Sequence, residues 1–402
     1  MVSRALVRVP VPPGPEGPAR LLPALAAALA GTGPAIAPVP TVSATVSNDY
    51  VMSLLAALRP DDRAVPLESD DVAAVIATSG STGAPRGVLL TAPQLTALTP
   101  ALQATDARPQ WIAALPVTSM GGINVLVRAI AADREPIAVP SIGGGGPFTA
   151  DAFAEAVAAG AHVTDDVRTS MVPAQLARLL ADDRGIAALQ QCTAVLVGGA
   201  ATRPSLLEAA RSMGIPVTTT YGATETAGGC VLDGMPLPGV TVSADPESGV
   251  LTIAGPCVAS GYRGEPGLTA QVFTAEGYRT PDVGEVSADG RVTVLGRADD
   301  IVVIRGVNVS PLAVERVVAD LPDVVAAAVV AAAGPDGEPT LHAFVEVREI
   351  APDASDDARA AVTERLGSAA RPLVHRVPRL PYLPNGKVDR RLLLQWAEEG
   401  TD

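Results

Sequence analysis

Residues 78–87 carry the clearest capacity for chemistry in this sequence. The segment runs Thr78-Ser79-Gly80-Ser81-Thr82-Gly83-Ala84-Pro85-Arg86-Gly87 between two apolar, β-branched runs. Glycines let consecutive backbone N–H groups converge on an anion, hydroxyls add donors, and Arg86 supplies charge for the outer phosphates of a nucleotide. An ordinary polar turn has a similar composition. The loop alone therefore leaves a phosphate site and a surface turn equally open.

Two further loops follow predicted strands that are consecutive along the chain. The first contains Gly198, Gly199 and Ala200, and the second is Tyr221-Gly222-Ala223-Thr224-Glu225. The glycine pair allows a planar ligand to approach the backbone, Tyr221 can stack on that ligand, and Glu225 can hold a cation. Each feature alone is more typical of packing or of a solvated surface. Because ligands in α/β sheets bind at the carboxyl ends of strands, their common position favours one shared site.

Three candidates lie further along the chain. Asp282 could accept two hydrogen bonds from a ribose or could simply be a turn acid. The charged break Gly296-Arg297-Ala298-Asp299 separates two apolar runs and predicts a domain boundary, with domains at 1–296 and 297–402. Residues 384–387 form a Pro-Asn-Gly-Lys turn that presents Lys387, which by itself indicates only a surface lysine.

Alternating strands and helices must position these loops. Between Val72 and Gly222 the predicted strands are Val72–Thr78, Val88–Thr91, Trp111–Leu115, Ile137–Val139, Ala194–Val197 and Val217–Thr220. The predicted helices are Pro93–Gln103, Gly122–Ala132, Ala150–Ala159, Pro173–Ala181 and Pro204–Met213. This pattern predicts a large N-terminal α/β domain with mainly parallel sheets. Short β segments after Gly239 predict a β subdomain, and the remainder predicts a small α+β domain. Residues 1–70 suggest no chemistry.

Composition narrows the function classes. The net charge of −14, from 29 basic and 43 acidic residues, argues against nucleic acid as a partner. Three scattered cysteines, Cys192, Cys230 and Cys257, fit a reducing compartment better than a disulfide framework. No stretch reaches the length of a membrane span, and Leu21–Gly31 fits a surface helix better than a signal peptide. We therefore expect a cytoplasmic protein.

Five motifs in this order resemble the adenylate-forming superfamily of acyl-CoA synthetases, luciferases and peptide-synthetase adenylation domains. They are the loop 78–87, Tyr221–Glu225, Asp282 after Tyr-Arg-Thr, Gly296–Asp299 and Pro384–Lys387, and the resemblance covers roughly residues 70–395. It implies a reaction in which a carboxylic acid attacks ATP to form an acyl-adenylate. It also implies a mobile C-terminal domain that carries a catalytic lysine.

The resemblance assigns a role to each motif. Thr78, Ser79, Gly80, Ser81, Thr82, Gly83 and Arg86 would bind the outer phosphates, Gly199, Ala200, Tyr221 and Gly222 would bracket adenine, and Asp282 and Arg297 would hold the ribose. Thr224 would contact the α-phosphate and Glu225 would bind Mg²⁺. Lys387 would bridge the attacking carboxylate and the nucleotide, while Asp299 would act as the hinge that admits CoA.

Softer matches within the superfamily resemble the actinobacterial o-succinylbenzoate–CoA ligases of menaquinone biosynthesis. They include Val172–Leu176, Gly228-Gly229-Cys230, Pro236–Gly239 and Val125–Arg128. This likeness implies that a small-molecule acid, ATP and CoA are the substrates. Ser119, Arg128 and Gly198 would contact the acid, with Arg128 as counter-ion of its aromatic carboxylate. A surface arginine on an amphipathic helix is the competing interpretation of Arg128. Homodimers are common among these ligases, and the sequence leaves the oligomeric state open.

Two departures from the family pattern bear on the substrate. Arg86 stands where the phosphate loop usually carries lysine, and a planar fork binds phosphate with a different geometry. Thr118 and Ser119 stand where the ligases have histidine in the acyl site. These departures keep alternatives open: a ligase for another aryl or acyl acid, an adenylating enzyme that loads a carrier protein, and a non-catalytic nucleotide binder. The signature motifs of P-loop NTPases and of serine hydrolases are absent from this sequence.

Overall fold

The computed structural model describes residues 4–60, 62, 65–78, 84–103, 107–298, 300–334, 338–347, 354–383 and 388–399. Within these ranges, no helix combines the length and apolar character needed to cross a bilayer.

Residues 6–297 form three sheets with their covering helices. The first elements are β1 (Leu6–Val11), α1 (Glu16–Leu29), β2 (Ala35–Pro40), α2 (Asn48–Leu58), β3 (Val72–Ala77), β4 (Gly87–Thr91), α3 (Ala92–Thr96), α4 (Thr99–Leu102), β5 (Gln110–Ala113), α5 (Met120–Ala131), β6 (Ile137–Ala138), α6 (Ala150–Ala161), β7 (Val167–Met171), α7 (Pro173–Leu180), α8 (Asp183–Gln190), β8 (Ala194–Gly198), α9 (Pro204–Ser212) and β9 (Val217–Ala223). They are followed by β10 (Gly228–Leu232), β11 (Met235–Pro236), β12 (Thr241–Ala244), β13 (Val250–Ala254), β14 (Gly261–Tyr262), α10 (Pro266–Val272), β15 (Phe273–Thr274), β16 (Gly277–Val286) and β17 (Val292–Arg297).

The first sheet has the order β1-β2-β3-β4-β14. Strands β1 to β3 run parallel, whereas β3 and β4 pair antiparallel around the loop 78–87. Every residue of β2 is buried because helices cover both faces of the sheet. Leu21 and Leu25 of α1 pack on one face, and Leu54 of α2 packs on the other.

The second sheet has the order β11-β10-β9-β8-β7-β5-β6. Its five strands from β6 to β9 are parallel, so their carboxyl ends share one edge. Helix α5 covers one face through Val125 and Ala129, while α6 and α7 cover the other through Phe153 and Leu176. This edge carries the loops after β8 and β9 that the sequence singles out.

The third sheet is antiparallel, with the order β12-β13-β16-β15 and β17 paired to β16. Asp282 on β16 lies opposite Arg297 on β17. Strand β17 continues through Arg297, so the chain leaves this sheet just after the predicted boundary at residue 296. The division into domains 1–296 and 297–402 stays a prediction.

The carboxyl-terminal part has its own hydrophobic clusters. Its elements are β18 (Val302–Ile304), β19 (Val307–Val309), α11 (Pro311–Ala319), β20 (Val324–Ala333), β21 (Pro339–Val347), α12 (Ala354–Leu366), β22 (Leu373–Arg376) and α13 (Arg390–Glu399). The sheet β20-β21-β22 packs against α11 and α12 on one face, through Val314 and Val362. Its other face packs against α13 through Phe344 and Leu393.

The predicted α/β fold is confirmed, and three details are corrected. The sheets are mixed, because β3–β4 and β9–β10 pair antiparallel. The single helix predicted at Pro93–Gln103 is wrong: α3 ends at Thr96, and Pro100 lies in the first turn of a separate α4. Proline lacks the backbone N–H that a helix interior requires. Strand β7 was not predicted, because three of its five residues are polar (Arg168, Thr169 and Ser170).

Candidate active site

A cavity of about 170 Å³ is lined by residues of α5 and of the second sheet, including the carboxyl ends of β8 and β9. The predicted acyl-site residues Ser119, Arg128 and Gly198 all border it. From the nucleotide predictions, Thr78, Gly199, Gly222 and Thr224 also border it. The fold thus brings the predicted acid residues and four of the predicted nucleotide residues to one cavity, whereas Tyr221, Glu225, Asp282 and Arg297 are not among its lining residues.

Arg128 is the buried cation of this cavity. Its side chain is only 5% exposed, and its guanidinium carbon lies 5.2 Å from the ring centroid of Trp111. In the parts of the chain that the structure describes, no carboxylate lies within ion-pair distance of Arg128. Burial lowers the pKa of Arg128 to about 10, so the side chain is still charged at neutral pH. The competing interpretation, a surface arginine, is wrong.

Helix α5 is held by contacts near its amino-terminal end. Ser119 caps the helix by accepting a hydrogen bond from Gly122 N at 3.4 Å. One turn on, the buried Asn124 donates from Nδ2 to Ala227 O at 2.9 Å. Gly228, at φ +104°, permits this approach, since a Cβ there would lie 2.0 Å from Asn124 Nδ2. The helix that presents Arg128 is therefore tied to the loop after β9.

Tyr221 and Asp282 meet although they are far apart in sequence. The Tyr221 hydroxyl donates to Asp282 Oδ2 at 2.7 Å, and Arg297 lies opposite Asp282 in the β16–β17 pairing. Burial, followed by the charge of Asp282, raises the pKa of Tyr221, so the phenol stays protonated as a donor. Three residues predicted to contact adenine or ribose therefore lie in one group.

Glu225 is a buried carboxylate with a tyrosine partner. It is 8% exposed, and Tyr262 donates to its Oε1 at 2.8 Å. Burial, followed by the charge of Glu225, raises the pKa of Tyr262, so the phenol stays protonated as a donor. The predicted metal-binding carboxylate is therefore held by a protonated phenol.

Arg86 lies close to the same group. Its guanidinium carbon is 5.8 Å from the Tyr262 ring centroid, and its Nε is 3.5 Å from Glu265 Oε2. Thr78 and Arg86 close the base of the loop, with Thr78 N donating to Arg86 O at 2.8 Å and Arg86 N donating to Thr78 Oγ1 at 3.0 Å. The loop therefore starts and ends beside Glu225's partner, Tyr262.

The remaining predicted residues are placed less fully. Ser79, Gly80, Ser81, Thr82, Gly83, Asp299 and Lys387 lie outside the described residues. Ala200 is exposed and does not line the cavity. The roles assigned to these residues stay predictions from the sequence.

Several residues at the site were missed by the sequence analysis. Pro38, Tyr50 and Leu54 border the cavity, so the first 70 residues do contribute to the site. Ser170 borders it from the unpredicted β7. Tyr262 gave no local signal, because its partner Glu225 is 37 residues away. The continuous apolar run at residues 35–40 could have indicated β2, but only the fold joins these segments.

Comparison with known proteins identifies the family. The model of the AMP-binding enzyme family matches residues 26–263. The chain belongs to the AMP-binding enzyme family. The superfamily predicted from the five motifs is thereby confirmed. The probable 2-succinylbenzoate–CoA ligase of Mycobacterium tuberculosis is 36% identical over 389 residues, covering 95% of this chain and 96% of that protein. The 2-succinylbenzoate–CoA ligase of Geobacillus kaustophilus is 30% identical, covering 81% and 69%.

Solved structures share the fold of this family member. ATP-bound MatB from Rhodopseudomonas palustris superimposes with a TM-score of 0.80 at 22% identity, covering 98% of this chain and 90% of that one. The o-succinylbenzoate CoA synthetase of Bacillus subtilis, in complex with its acyl-adenylate intermediate, gives a TM-score of 0.74 at 20% identity, covering 98% and 88%. The two-part architecture of this chain is therefore that of known adenylate-forming enzymes.

Proposed function

We propose that this protein is an ATP-dependent, AMP-forming acid–CoA ligase that converts o-succinylbenzoate to o-succinylbenzoyl-CoA through an acyl-adenylate. The observation that carries the proposal is the charge of Arg128. A buried guanidinium without a carboxylate partner in the described chain is costly unless an anion enters the cavity. Two relatives of this chain are ligases for 2-succinylbenzoate, which has a second carboxylate for such a cation.

The cavity has two ends suited to the two carboxylates of this acid. Thr224 and Gly199 border it at the carboxyl edge of the sheet, where the nucleotide residues lie. Arg128 lies on the third turn of α5, further along the helix than Ser119, which borders the cavity at the amino-terminal end. The aliphatic carboxylate would meet the nucleotide at the edge, and the ring carboxylate would meet Arg128 in the interior.

Glu225 fits the Mg²⁺ that the family uses. Mg²⁺ is commonly bound by one or two carboxylates together with substrate phosphates and water. In the described part of the chain, no cluster of three metal-ligating side chains is found. A single carboxylate fixed by Tyr262 suits an ion that arrives with the nucleotide. When bound, Mg²⁺ would neutralise phosphate charge, which otherwise repels the attacking carboxylate.

The chain's own residues orient the reactants. Thr78 and Arg86 hold the base of the phosphate loop, and Tyr221 with Asp282 offers a fixed polar surface for the nucleoside. Lys387 supplies a positive charge to the attacking carboxylate in this proposal, and Asp299 serves as the hinge for the CoA step. Both assignments rest on the sequence motifs. A cytoplasmic location, where ATP and CoA are available, belongs to the same proposal.

The absence of histidine at Thr118 and Ser119 favours a second candidate, a ligase for a different aryl or acyl acid. Both residues border the cavity, and Ser119 uses its hydroxyl to cap α5. The shape and polarity of the acid pocket therefore differ from the family pattern at this point. The reaction class is the same in both candidates.

A panel of acids separates these candidates. Purified protein with ATP and Mg²⁺ is assayed for pyrophosphate release on each acid, and CoA is then added. We expect 2-succinylbenzoate to give the highest kcat/KM and CoA to convert the adenylate to a thioester. Preference for another acid would overturn the substrate but not the class. Release of pyrophosphate without thioester formation would indicate a carrier-protein acceptor.

A further inference from the structure

Ser170 lies on the face of the second sheet that α5 covers. Its partners in the parallel register are Ala113 on β5 and Leu196 on β8. Residues paired in this way point to the same face. Ala113 and Leu196 pack with Val125 and Ala129 of α5, so Ser170 also faces this helix. Trp111, which supports Arg128, belongs to the same cluster. Ser170 on the second sheet and Arg128 on α5 therefore border the same cavity from opposite sides.

The hydroxyl of Ser170 has no hydrogen-bond partner among the described residues. The residue is 7% exposed, and its Oγ is shielded from solvent. Neighbouring buried polar groups are satisfied: Thr169 Oγ1 donates to Ile112 O at 3.1 Å, and Asn124 donates to Ala227 O. Buried polar groups are nearly always bonded, and an exception on a cavity wall is explained when the partner is a ligand. Rotation about one side-chain bond can turn this hydroxyl towards the cavity.

We propose that Ser170 is a specificity-determining residue that donates a hydrogen bond to the same substrate carboxylate as Arg128. The inference rests on the proposed function, since it assigns a second donor to the carboxylate that is not activated. An ionised carboxylate accepts up to about four hydrogen bonds, and a guanidinium fork fills two of these sites. With Arg128 as its sole donor, the buried substrate carboxylate would keep lone pairs without a hydrogen-bond partner. Ser170 supplies a neutral donor from the opposite wall.

A matched pair of acids isolates this interaction. 2-Succinylbenzoate carries the ring carboxylate, whereas 3-benzoylpropanoate has the same keto acid arm without it. For Ser170→Ala we expect kcat/KM for 2-succinylbenzoate to fall about tenfold, mainly through KM, because a hydrogen bond to a charged group is lost. The value for 3-benzoylpropanoate should change less than twofold, so the ratio between the two acids falls.

Thr169→Val is the matched control, since it removes a hydroxyl from the opposite face of the same strand. It should lower the thermal midpoint without changing the ratio between the acids. An unchanged ratio in Ser170→Ala, or equal losses on both acids, would overturn the role of Ser170. Equal losses would point instead to the keto group or to general damage to the site.

Failure of the proposed function gives a different result. A longer pair, 2-glutarylbenzoate and 4-benzoylbutanoate, is measured in parallel on the wild type and Ser170→Ala. If the wild type prefers the longer dicarboxylate to 2-succinylbenzoate, the substrate assignment fails. The subsite is still supported if Ser170→Ala lowers the preference for 2-glutarylbenzoate over 4-benzoylbutanoate. If the wild type gains nothing from a second carboxylate in either pair, the subsite itself is refuted.

Discussion

Two charged side chains near the cavity, Arg128 and Glu225, are buried in different ways. Glu225 has a phenolic donor, Tyr262, at 2.8 Å. Arg128 has the face of Trp111 at 5.2 Å and no acid within ion-pair distance in the described chain. A cation–π contact returns only part of the hydration energy of a guanidinium. An empty cavity leaves this charge without a counter-ion. Arg128 therefore contributes to anion binding and lowers the stability of the ligand-free protein.

Replacing Arg128 tests this account at the scale of one residue. For Arg128→Met we expect kcat/KM for 2-succinylbenzoate to fall by about 30- to 1,000-fold, because the partner carboxylate is left buried without a counter-ion. Activity on 3-benzoylpropanoate should be nearly unchanged. The thermal midpoint of the ligand-free protein should be equal or higher, because an unpaired buried charge is removed.

Arg108→Met provides the comparison, since Arg108 is 56% exposed and pairs with Asp133 at 3.5 Å. It should leave both acids unaffected. Equal losses on both acids in Arg128→Met, or a lower thermal midpoint, would assign Arg128 a structural role.

Tyr262 gives a second prediction at the residue scale. In Tyr262→Phe, Glu225 loses its donor, and we expect kcat/KM for adenylate formation to fall about 10- to 100-fold. The Mg²⁺ concentration for half-maximal rate should rise several-fold, because a misplaced carboxylate binds the ion less well. Tyr278→Phe, which leaves the Tyr262–Glu225 hydrogen bond in place, should have a much smaller effect on both quantities. An unchanged Mg²⁺ dependence would argue against the proposal that Glu225, held by Tyr262, binds Mg²⁺.

Helix α5 positions the site at the scale of secondary structure. Asn124 and Arg128 are four residues apart, so they share one face of the helix and both border the cavity. Asn124 ties that face to Ala227 through a buried hydrogen bond of 2.9 Å. Gly228 leaves the space for it. The position of Arg128 therefore depends on a contact between α5 and the segment that follows Glu225.

Asn124→Ala tests the role of this contact. We expect the free energy of unfolding to fall by about 1 to 3 kcal/mol, because the carbonyl of Ala227 loses a buried partner. The preference for 2-succinylbenzoate over 3-benzoylpropanoate should fall as well, since α5 is held less firmly. Ala131→Ser, on the exposed side of the same helix, should change neither quantity. A loss of stability with an unchanged preference would show that the contact does not position Arg128.

The sequence predicts the elements of this region where an element's own composition determines its structure. Helix α5 was predicted at Gly122–Ala132 and observed at Met120–Ala131, because its apolar run is too long for a buried strand. Strand β7 was missed because it is buried by contacts across the sheet and not by its own composition. The same tertiary burial conceals Ser170, and no local pattern predicts that a polar strand lies beneath α5.

At the scale of the whole molecule, arginine side chains join the amino-terminal and carboxyl-terminal parts. Arg203, just before α9, donates from Nη1 to Ala319 O at 2.6 Å and to Val324 O at 2.9 Å, and from Nη2 to Val325 O at 3.1 Å. These carbonyls lie at the end of α11 and the start of β20. Arg316 of α11 adds a bond to Val294 O at 2.8 Å. The contacts hold the two parts in one relative orientation.

Removing the Arg203 contact tests the proposed reorientation of the carboxyl-terminal domain between the two half-reactions. For Arg203→Ala we expect the ratio of adenylation rate to thioesterification rate to change about tenfold, because one orientation loses three hydrogen bonds. Single-turnover assays of each half-reaction measure this ratio. Arg211→Ala, which breaks an ion pair with Asp233 inside the amino-terminal part, should leave it unchanged. Equal changes in both half-reactions would argue against a role in reorientation.

The site as a whole could be predicted only in part. Sequence motifs locate Glu225, Asp282 and Arg128, because each lies in a recognisable local pattern. They do not reveal that Tyr262 supports Glu225 or that Tyr221 donates to Asp282, since these partners are 37 and 61 residues apart. Such pairings follow from strand order and register, which the local pattern does not determine. The contribution of Tyr50 and Leu54 to the cavity is hidden for the same reason.

The product formed from ATP, 2-succinylbenzoate and CoA decides whether this protein is a 2-succinylbenzoate–CoA ligase. The purified protein is incubated with all three and Mg²⁺, and AMP and the CoA thioester are quantified by mass spectrometry. We expect AMP and 2-succinylbenzoyl-CoA in equal amounts, both absent when either the acid or CoA is omitted at multiple turnover. No AMP from 2-succinylbenzoate, under conditions in which another acid supports turnover, would contradict this expectation.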